Sequence, residues 1–201
     1  MGSVLVILRG NSGSGKTTIA REVQKRLGRG VAARIGQDQL RREILRERDL
    51  PDGLAPDFIC DMAAYLLERM PVVVVEGIMA ASRYREALCA LISAHPGPNL
   101  VYWMDVDLAE TFARHDTRPE AEFSKADMAS WYVGGDILDV PGELVIPQES
   151  TLEETVARIC AGVASVSGHV RSPPRRATAS AADHSARERE GPAGLAAWPS
   201  R

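Results

Sequence analysis

Lysine is scarce in this chain: it supplies three of the 24 basic residues, at positions 16, 25 and 125. The rest are arginines, so each lysine invites a reason. Cysteine is scarce as well. Cys60, Cys89 and Cys160 are odd in number, far apart and without a C-x-x-C pair, which indicates neither a zinc site nor a disulfide framework. Each falls in a predicted helix, where it serves as a small apolar residue. His95, His115, His169 and His184 show no metal-ligand spacing. No apolar run approaches the ~20 residues of a membrane-spanning helix. The first apolar segment is too short for a signal peptide, and Val6 stands where a myristoylation signal needs Ser or Thr. These absences predict a cytoplasmic protein without a membrane partner. A strong excess of basic charge is also missing. The net charge is −3, and residues 1–165 carry 18 basic against 24 acidic side chains. That balance argues against a wide basic groove for long nucleic acid. There is no N-K-x-D for guanine and no D-x-x-G after a predicted strand. At 201 residues the chain is also too short for a motor with an added helical domain.

The most informative stretch is Gly10-Asn11-Ser12-Gly13-Ser14-Gly15-Lys16-Thr17, followed by Thr18. It reads G-x-x-x-x-G-K-[ST], the phosphate-binding P-loop. With this composition a chance match is roughly two in a thousand. Backbone N–H groups of such a loop converge on a polyphosphate, and the helix that follows presents its positive end to the same anion. Residues 10–18 are therefore the candidate nucleotide-binding residues. Lys16 would reach the β/γ-phosphates and the Thr17 hydroxyl would ligate Mg²⁺. The flanks agree: Ser3 to Arg9 reads as a buried strand, and Lys16 to Leu27 as a helix with Ile19, Val23 and Leu27 on one face and Gly28 as its stop.

Strands and helices alternate along the chain. Further strands are predicted at residues 31–36, 72–75, 100–106 and 144–146. Helices are predicted from Asp38 to about Arg48 with Asp38 as N-cap, and at 57–70, 81–93, 108–115, 125–133 and 151–166. The pattern gives an α/β, three-layer P-loop NTPase fold: a five-stranded parallel sheet of order 2-3-1-4-5, flanked by helices, with a short helical lid at about 114–135. One domain is expected over 1–166. From 167 the composition turns Pro-, Ser-, Ala- and Arg-rich, the signature of a disordered tail.

Ligands in parallel sheets sit at the carboxyl ends of the strands, which brings a short set of residues around the P-loop. Asp38 lies just past the second strand, placed to accept a proton from a substrate hydroxyl. Arg41, three residues on, shares its helix face and would hold an anionic or polar part of the acceptor. The plainer alternative is an N-cap and a surface arginine. Glu76 ends the Val72–Val75 run, where an acid orients the Mg²⁺ shell directly or through water; alternatively it is a solvent-facing carboxylate. Arg114 and Arg118, four apart, suit a lid that neutralises charge on a transferred phosphoryl group, or are ordinary surface arginines. Asp105 and Asp107 read as structural. Trp131 and Tyr132 read as packing, with an acceptor pocket as the other option. Asp57 and Asp61 are weaker acceptor candidates.

Together the P-loop, Asp38-x-x-Arg41, Glu76 and Arg114-x-x-x-Arg118 resemble P-loop kinases that phosphorylate a hydroxyl. This is the AAA_33, zeta-toxin and phage-type polynucleotide kinase-like group, with chloramphenicol phosphotransferase-like and gluconate- or shikimate-type kinases beside it. Glu76-Gly77-Ile78 looks like the uridine kinase and phosphoribulokinase relatives. The resemblance covers about residues 3–165. It implies ATP and Mg²⁺ as cofactors and Asp38 as general base. It further implies that Arg41 contacts the acceptor and that Arg114 and Arg118 contact ATP and the moving phosphoryl group. The expectation is an ATP-dependent kinase acting on a small-molecule hydroxyl. A polynucleotide 5′-hydroxyl kinase and an ATP-binding regulatory module without an acceptor remain as alternatives.

Overall fold

The computed structural model describes residues 2–117 and 123–168. Arg118, Pro119 and the tail from residue 169 lie outside the described residues. Five strands, β1 (Val4–Gly10), β2 (Ala32–Gly36), β3 (Val72–Gly77), β4 (Asn99–Asp105) and β5 (Leu144–Pro147), form one parallel sheet in the order β2-β3-β1-β4-β5. β1 is central, and Val4 to Leu8 are fully buried. A strand covered on both faces reads as a continuous apolar run, and the side chains divide by parity. Leu5 and Ile7 join Val73 and Val75 in one core, which packs on α2 (Ala55–Leu67) and α3 (Ala81–Ala94). Val4, Val6 and Leu8 join Val72 and Val74 in the other, under α1 (Lys16–Leu27) and α6 (Leu152–Ser167). Two short helices, α4 (Leu108–Asp116) and α5 (Lys125–Trp131), lie between β4 and β5 in the chain. The predicted sheet order and three-layer arrangement are both present. No described helix is long and apolar enough to cross a membrane.

The segment after β2 departs from expectation. An α-helix opening on an Asp38 cap was predicted; the chain forms a π-helix over Gln39–Leu45 instead. Asp38 is already helical, with φ −60° and ψ −40°, and its side chain caps nothing. A capping residue needs extended backbone for its oxygen to reach back. The wider helix ends at Arg46, at φ 53°, where the Glu47 N–H donates to the Arg41 carbonyl at 3.1 Å. The Glu47 carboxylate then accepts from Ala55 N at 2.7 Å and Leu54 N at 3.2 Å, holding the positive end of α2. Late in the chain, caps form that the sequence reading did not name. Thr151 and Glu154 make a reciprocal capping box on α6, Ser124 and Asp127 make another on α5, and Asp107 accepts from Glu110 N on α4.

Candidate active site

Because every strand is parallel, the carboxyl ends of β1, β2 and β3 lie along one edge of the sheet. The P-loop follows β1 and turns straight into α1. Its backbone demands glycine where it passes other elements closely. Gly13 sits at φ 81°, and a Cβ there would stand 2.8 Å from the Thr111 carbonyl oxygen. Lys16 is buried; its Nζ donates to the Asn11 carbonyl at 2.7 Å and to Ser14 Oγ at 3.2 Å. The ammonium is thus held inside the loop's own curve, beside the N–H groups that would meet a phosphate. Ser12, Gly13, Gly15, Thr17 and Thr18 line the same small cradle. Asn11 is placed differently: its side-chain amide pairs with the backbone of Val133, donating to the carbonyl at 2.8 Å and accepting from the N–H at 3.0 Å. Gly10 passes against β4, where a Cβ would meet Met104 Cβ at 2.7 Å.

The Thr17 hydroxyl donates to one Glu76 oxygen at 2.9 Å, and the Arg34 guanidinium donates to the other at 2.7 Å. Glu76 is buried, so the arginine offsets the desolvation of its charge. Sequence reasoning brought Thr17 and Glu76 together but missed Arg34, which looks like a polar interruption in a strand. Hydroxyl and carboxylate are hard oxygen donors. Mg²⁺ at a nucleotide site takes one or two protein oxygens and completes its shell with phosphate and water. The Thr17–Glu76 pair fits that demand, and among the described residues no cluster of three or more His, Cys, Asp or Glu competes with it.

Asp38 lines the cradle with Glu76, Ile78 and Phe123. It also lines a second cavity of about 470 Å³, which shares Ser12, Asp38, Ile78 and Phe123 with the first. Among the described residues its lining includes Arg41, Arg42, Arg48 and Arg83 together with Asp38 and Asp49. Arg41 bonds Asp38 Oδ1 at 3.2 Å and the Glu47 carbonyl at 3.1 Å. Arg83 bonds Asp49 Oδ2 at 2.8 Å. Asp49 is fixed in turn by the Tyr84 hydroxyl at 3.0 Å, which accepts from Gln37 Nε2 at 2.8 Å. Burial, and then the Asp49 charge, push the Tyr84 phenol well above its ordinary range, so it stays a neutral donor. Phe123 and Trp131 stand edge to face, 5.5 Å apart, as an aromatic wall of this cavity.

Two supports were invisible in the sequence pattern. Arg9 is fully buried inside an otherwise apolar strand. It donates to the Met79 carbonyl at 2.9 Å and pairs with Asp136 at 2.7 Å, with Glu143 at 3.8 Å. Burial pulls its guanidinium below the usual value, against the opposing charges of Asp136 and Glu143. Met79 itself sits at φ 41°, a strained position for a side chain with a Cβ, and the Gln37 amide holds its N–H at 3.0 Å. Arg9 and Gln37 therefore clamp the loop that carries Ile78 and Ala80 into the second cavity.

Arg114 comes to the P-loop, but as a brace. Its guanidinium donates to the Ser14 carbonyl at 3.2 Å, the Gln148 carbonyl at 3.1 Å and Glu110 at 2.7 Å. It lines neither cavity described above. Asp107 is a helix cap, and Asp105, Asp57 and Asp61 are exposed and line neither cavity. Trp131 is at the second cavity, whereas Tyr132 donates to the Val106 carbonyl at 3.3 Å.

Comparison with known proteins bears on the fold and the family. No curated protein matches the sequence. Among solved structures, the fold is similar to the Mycobacterium tuberculosis APS kinase CysC in complex with AMPPNP and APS, with a TM-score of 0.62 and 18% identity over 82% of this chain and 98% of that one. It is likewise similar to a gluconokinase from Sinorhizobium meliloti 1021, with a TM-score of 0.58 and 18% identity over 83% of this chain and 94% of that one. At such identities the likeness establishes the fold. The family model AAA_33, described as an AAA domain, matches residues 5–133, from β1 through the P-loop, Asp38 and Glu76 to the end of the α5 segment. The chain belongs to this AAA domain family.

Proposed function

We propose that the protein is an ATP-dependent kinase that transfers the γ-phosphoryl group to a hydroxyl of a small molecule. The observation that carries this reading is the position of Asp38, which lines both the phosphate cradle and the second cavity. Phosphoryl transfer needs a donor and an acceptor on either side of one proton-accepting group. The P-loop N–H groups, the start of α1 and Lys16 hold the polyphosphate. Thr17 and Glu76 would hold Mg²⁺, which would supply positive charge to offset that of the polyphosphate. Asp38 accepts the hydroxyl proton as the acceptor oxygen bonds to the γ-phosphorus. The bond from that phosphorus to the β–γ bridging oxygen breaks, and ADP leaves. Arg114, tied to the Ser14 carbonyl, keeps the loop in shape; contact with the phosphoryl group would require it to leave Ser14 and Gln148.

The second cavity's volume of about 470 Å³ lies in the range of small-ligand sites and favours a metabolite-sized acceptor over a polynucleotide. Its presence beside Asp38 also weighs against an ATP-binding module with no acceptor. The test is a panel of hydroxylated metabolites with ATP and Mg²⁺. One or more should give ADP matched mole for mole by a phosphate ester on the acceptor. ADP accompanied only by inorganic phosphate, across a broad panel, would contradict the reading.

A further inference from the structure

The two side chains that flank Gly10 grip the chain on both sides of the Gly134-Gly135 break. Arg9 pairs with Asp136 at 2.7 Å. Asn11 holds both backbone groups of Val133, donating to the carbonyl at 2.8 Å and accepting from the N–H at 3.0 Å. Asn11 is 3% exposed, and a buried amide is costly unless its ends are bonded. Here each end has a partner, and the pair of bonds copies the pairing of adjacent strands. The phosphate-binding pattern does not ask for asparagine at this position, which is one of its open places. Nor does Asn11 line the cradle, although Ser12 and Gly13 beside it do. What it holds is a wall of the second cavity, lined by Ser130, Trp131 and Val133. Ile78 and Ala80 line that cavity as well, and they are held from the other side of Gly10. Arg9 donates to the Met79 carbonyl between them at 2.9 Å, and Asp136 accepts from Ala81 N at 2.9 Å. The main chain of Asn11 serves the donor: its carbonyl accepts from Lys16 Nζ at 2.7 Å. One residue thus meets the phosphate-binding lysine through its backbone and the cavity wall through its side chain.

We propose that Asn11 is a positioning residue for the acceptor: a P-loop side chain that serves the second cavity and not the nucleotide. By fixing Val133 to the loop that carries the donor, its amide keeps the Ser130–Val133 wall, on which the acceptor rests, in register with the phosphate cradle. This rests on the kinase reading for the identity of the cavity's occupant; the tie between wall and loop stands without it.

The test compares two variants of the full chain. Asn11→Ala removes both bonds; Asn11→Asp keeps an acceptor for the Val133 N–H and loses the donor to its carbonyl. α5 stays anchored in both, because buried Met128 lies against Gly13 and Tyr132 bonds the Val106 carbonyl. Neither variant alters the carbonyl that receives Lys16. Calorimetric affinity for a non-hydrolysable ATP analogue with Mg²⁺ should therefore stay within about twofold of the parent. The Val133 amide should exchange its hydrogen at least roughly tenfold faster in Asn11→Ala. Trp131 should become more open to quenching by acrylamide, read in a Trp198→Phe background because Trp103 is fully buried. With the acceptor that the metabolite panel identifies, the acceptor KM should rise roughly tenfold in Asn11→Ala and less in Asn11→Asp, while the KM for ATP stays put. An unchanged acceptor KM would overturn the proposal. So would a nucleotide affinity that falls as far as the acceptor's, or unchanged Val133 exchange and Trp131 quenching in Asn11→Ala. If no member of the panel is phosphorylated, the kinase reading fails on its own. Faster Val133 exchange and a freer Trp131, at unchanged nucleotide affinity, would then still support Asn11 as the tie between wall and loop.

Discussion

The Asp38 side chain is 65% exposed, and its partner Arg41 is 15% exposed. Asp38 is therefore open to solvent, while Arg41, which bonds it, is largely enclosed. That placement was legible in the sequence through the spacing of Asp38 and Arg41 after a strand. The residues that frame it were not: Gln37, Tyr84 and Asp49 form one chain of hydrogen bonds from three separate segments. No periodicity records a contact of that kind. Arg34 was hidden similarly, because its meaning comes from the register that sets β2 beside β3 and Gly36 opposite Glu76. A residue-scale prediction concerns Cys60. Burial, followed by the charges of Asp57 and Asp61, pushes its thiol up to about 12. Thiolate is the reactive form, so Cys60 in the native protein should alkylate far more slowly at pH 8 than in the unfolded chain. The unfolded thiol ionises from an ordinary value of 9.0. The native state then holds a proton that the unfolded chain has lost, and this contribution to stability is complete below pH 9 and declines as pH rises toward 12. Rapid labelling of Cys60 in native protein, located by mass spectrometry of peptides, would contradict its half-buried placement against the core.

At the scale of elements, the buried β-branched runs and the P-loop were readable because composition alone dictates them. β1, β3 and α1 fall within a residue or two of their predicted limits. The π-helix was not readable: its sequence, QLRREIL, has ordinary helical residues. The wider winding is closed by Arg46 at positive φ and by Glu47 reaching to α2, both tertiary features. Arg9 is the clearest case of a local rule giving way to a distant partner. It ties β1 to the segment before β5 through Asp136, whose carboxylate also accepts from Ala81 N at the start of α3. Arg9→Met should cost about 3–5 kcal/mol in chemical denaturation, because a nearly buried carboxylate is left without its cation. A loss below about 1 kcal/mol, within the range of a surface pair, would show that Asp136 does not depend on Arg9. Thr151→Ala, which removes the α6 capping box, should cost about 1 kcal/mol and leave nucleotide binding unchanged.

At the scale of the molecule, the P-loop, Asp38 and Glu76 gather at one end of the sheet, and two apolar cores cover its faces. The solved structures of similar fold are covered almost end to end by about four-fifths of this chain. A chain ending at Gly168 is accordingly expected to keep the thermal midpoint and the nucleotide affinity of the full chain; loss of either would place residues beyond 168 in the folded unit. Fold class and sheet order were legible at this scale because alternating strands and helices with right-handed crossovers leave few arrangements. The gathering of arginines at the second cavity was not, since those at 41, 42, 48 and 83 come from separate segments that meet only in the fold. The account as a whole depends on Asp38 standing between donor and acceptor. Single-turnover transfer from ATP to the best acceptor, with nucleotide affinity measured on the same preparations, examines that dependence directly. Asp38→Ala should bind ATP as the parent does and transfer ~10²–10⁴-fold more slowly. Transfer at the parent rate, with acceptor at saturation, would contradict the assignment of Asp38 as the base that joins the two cavities.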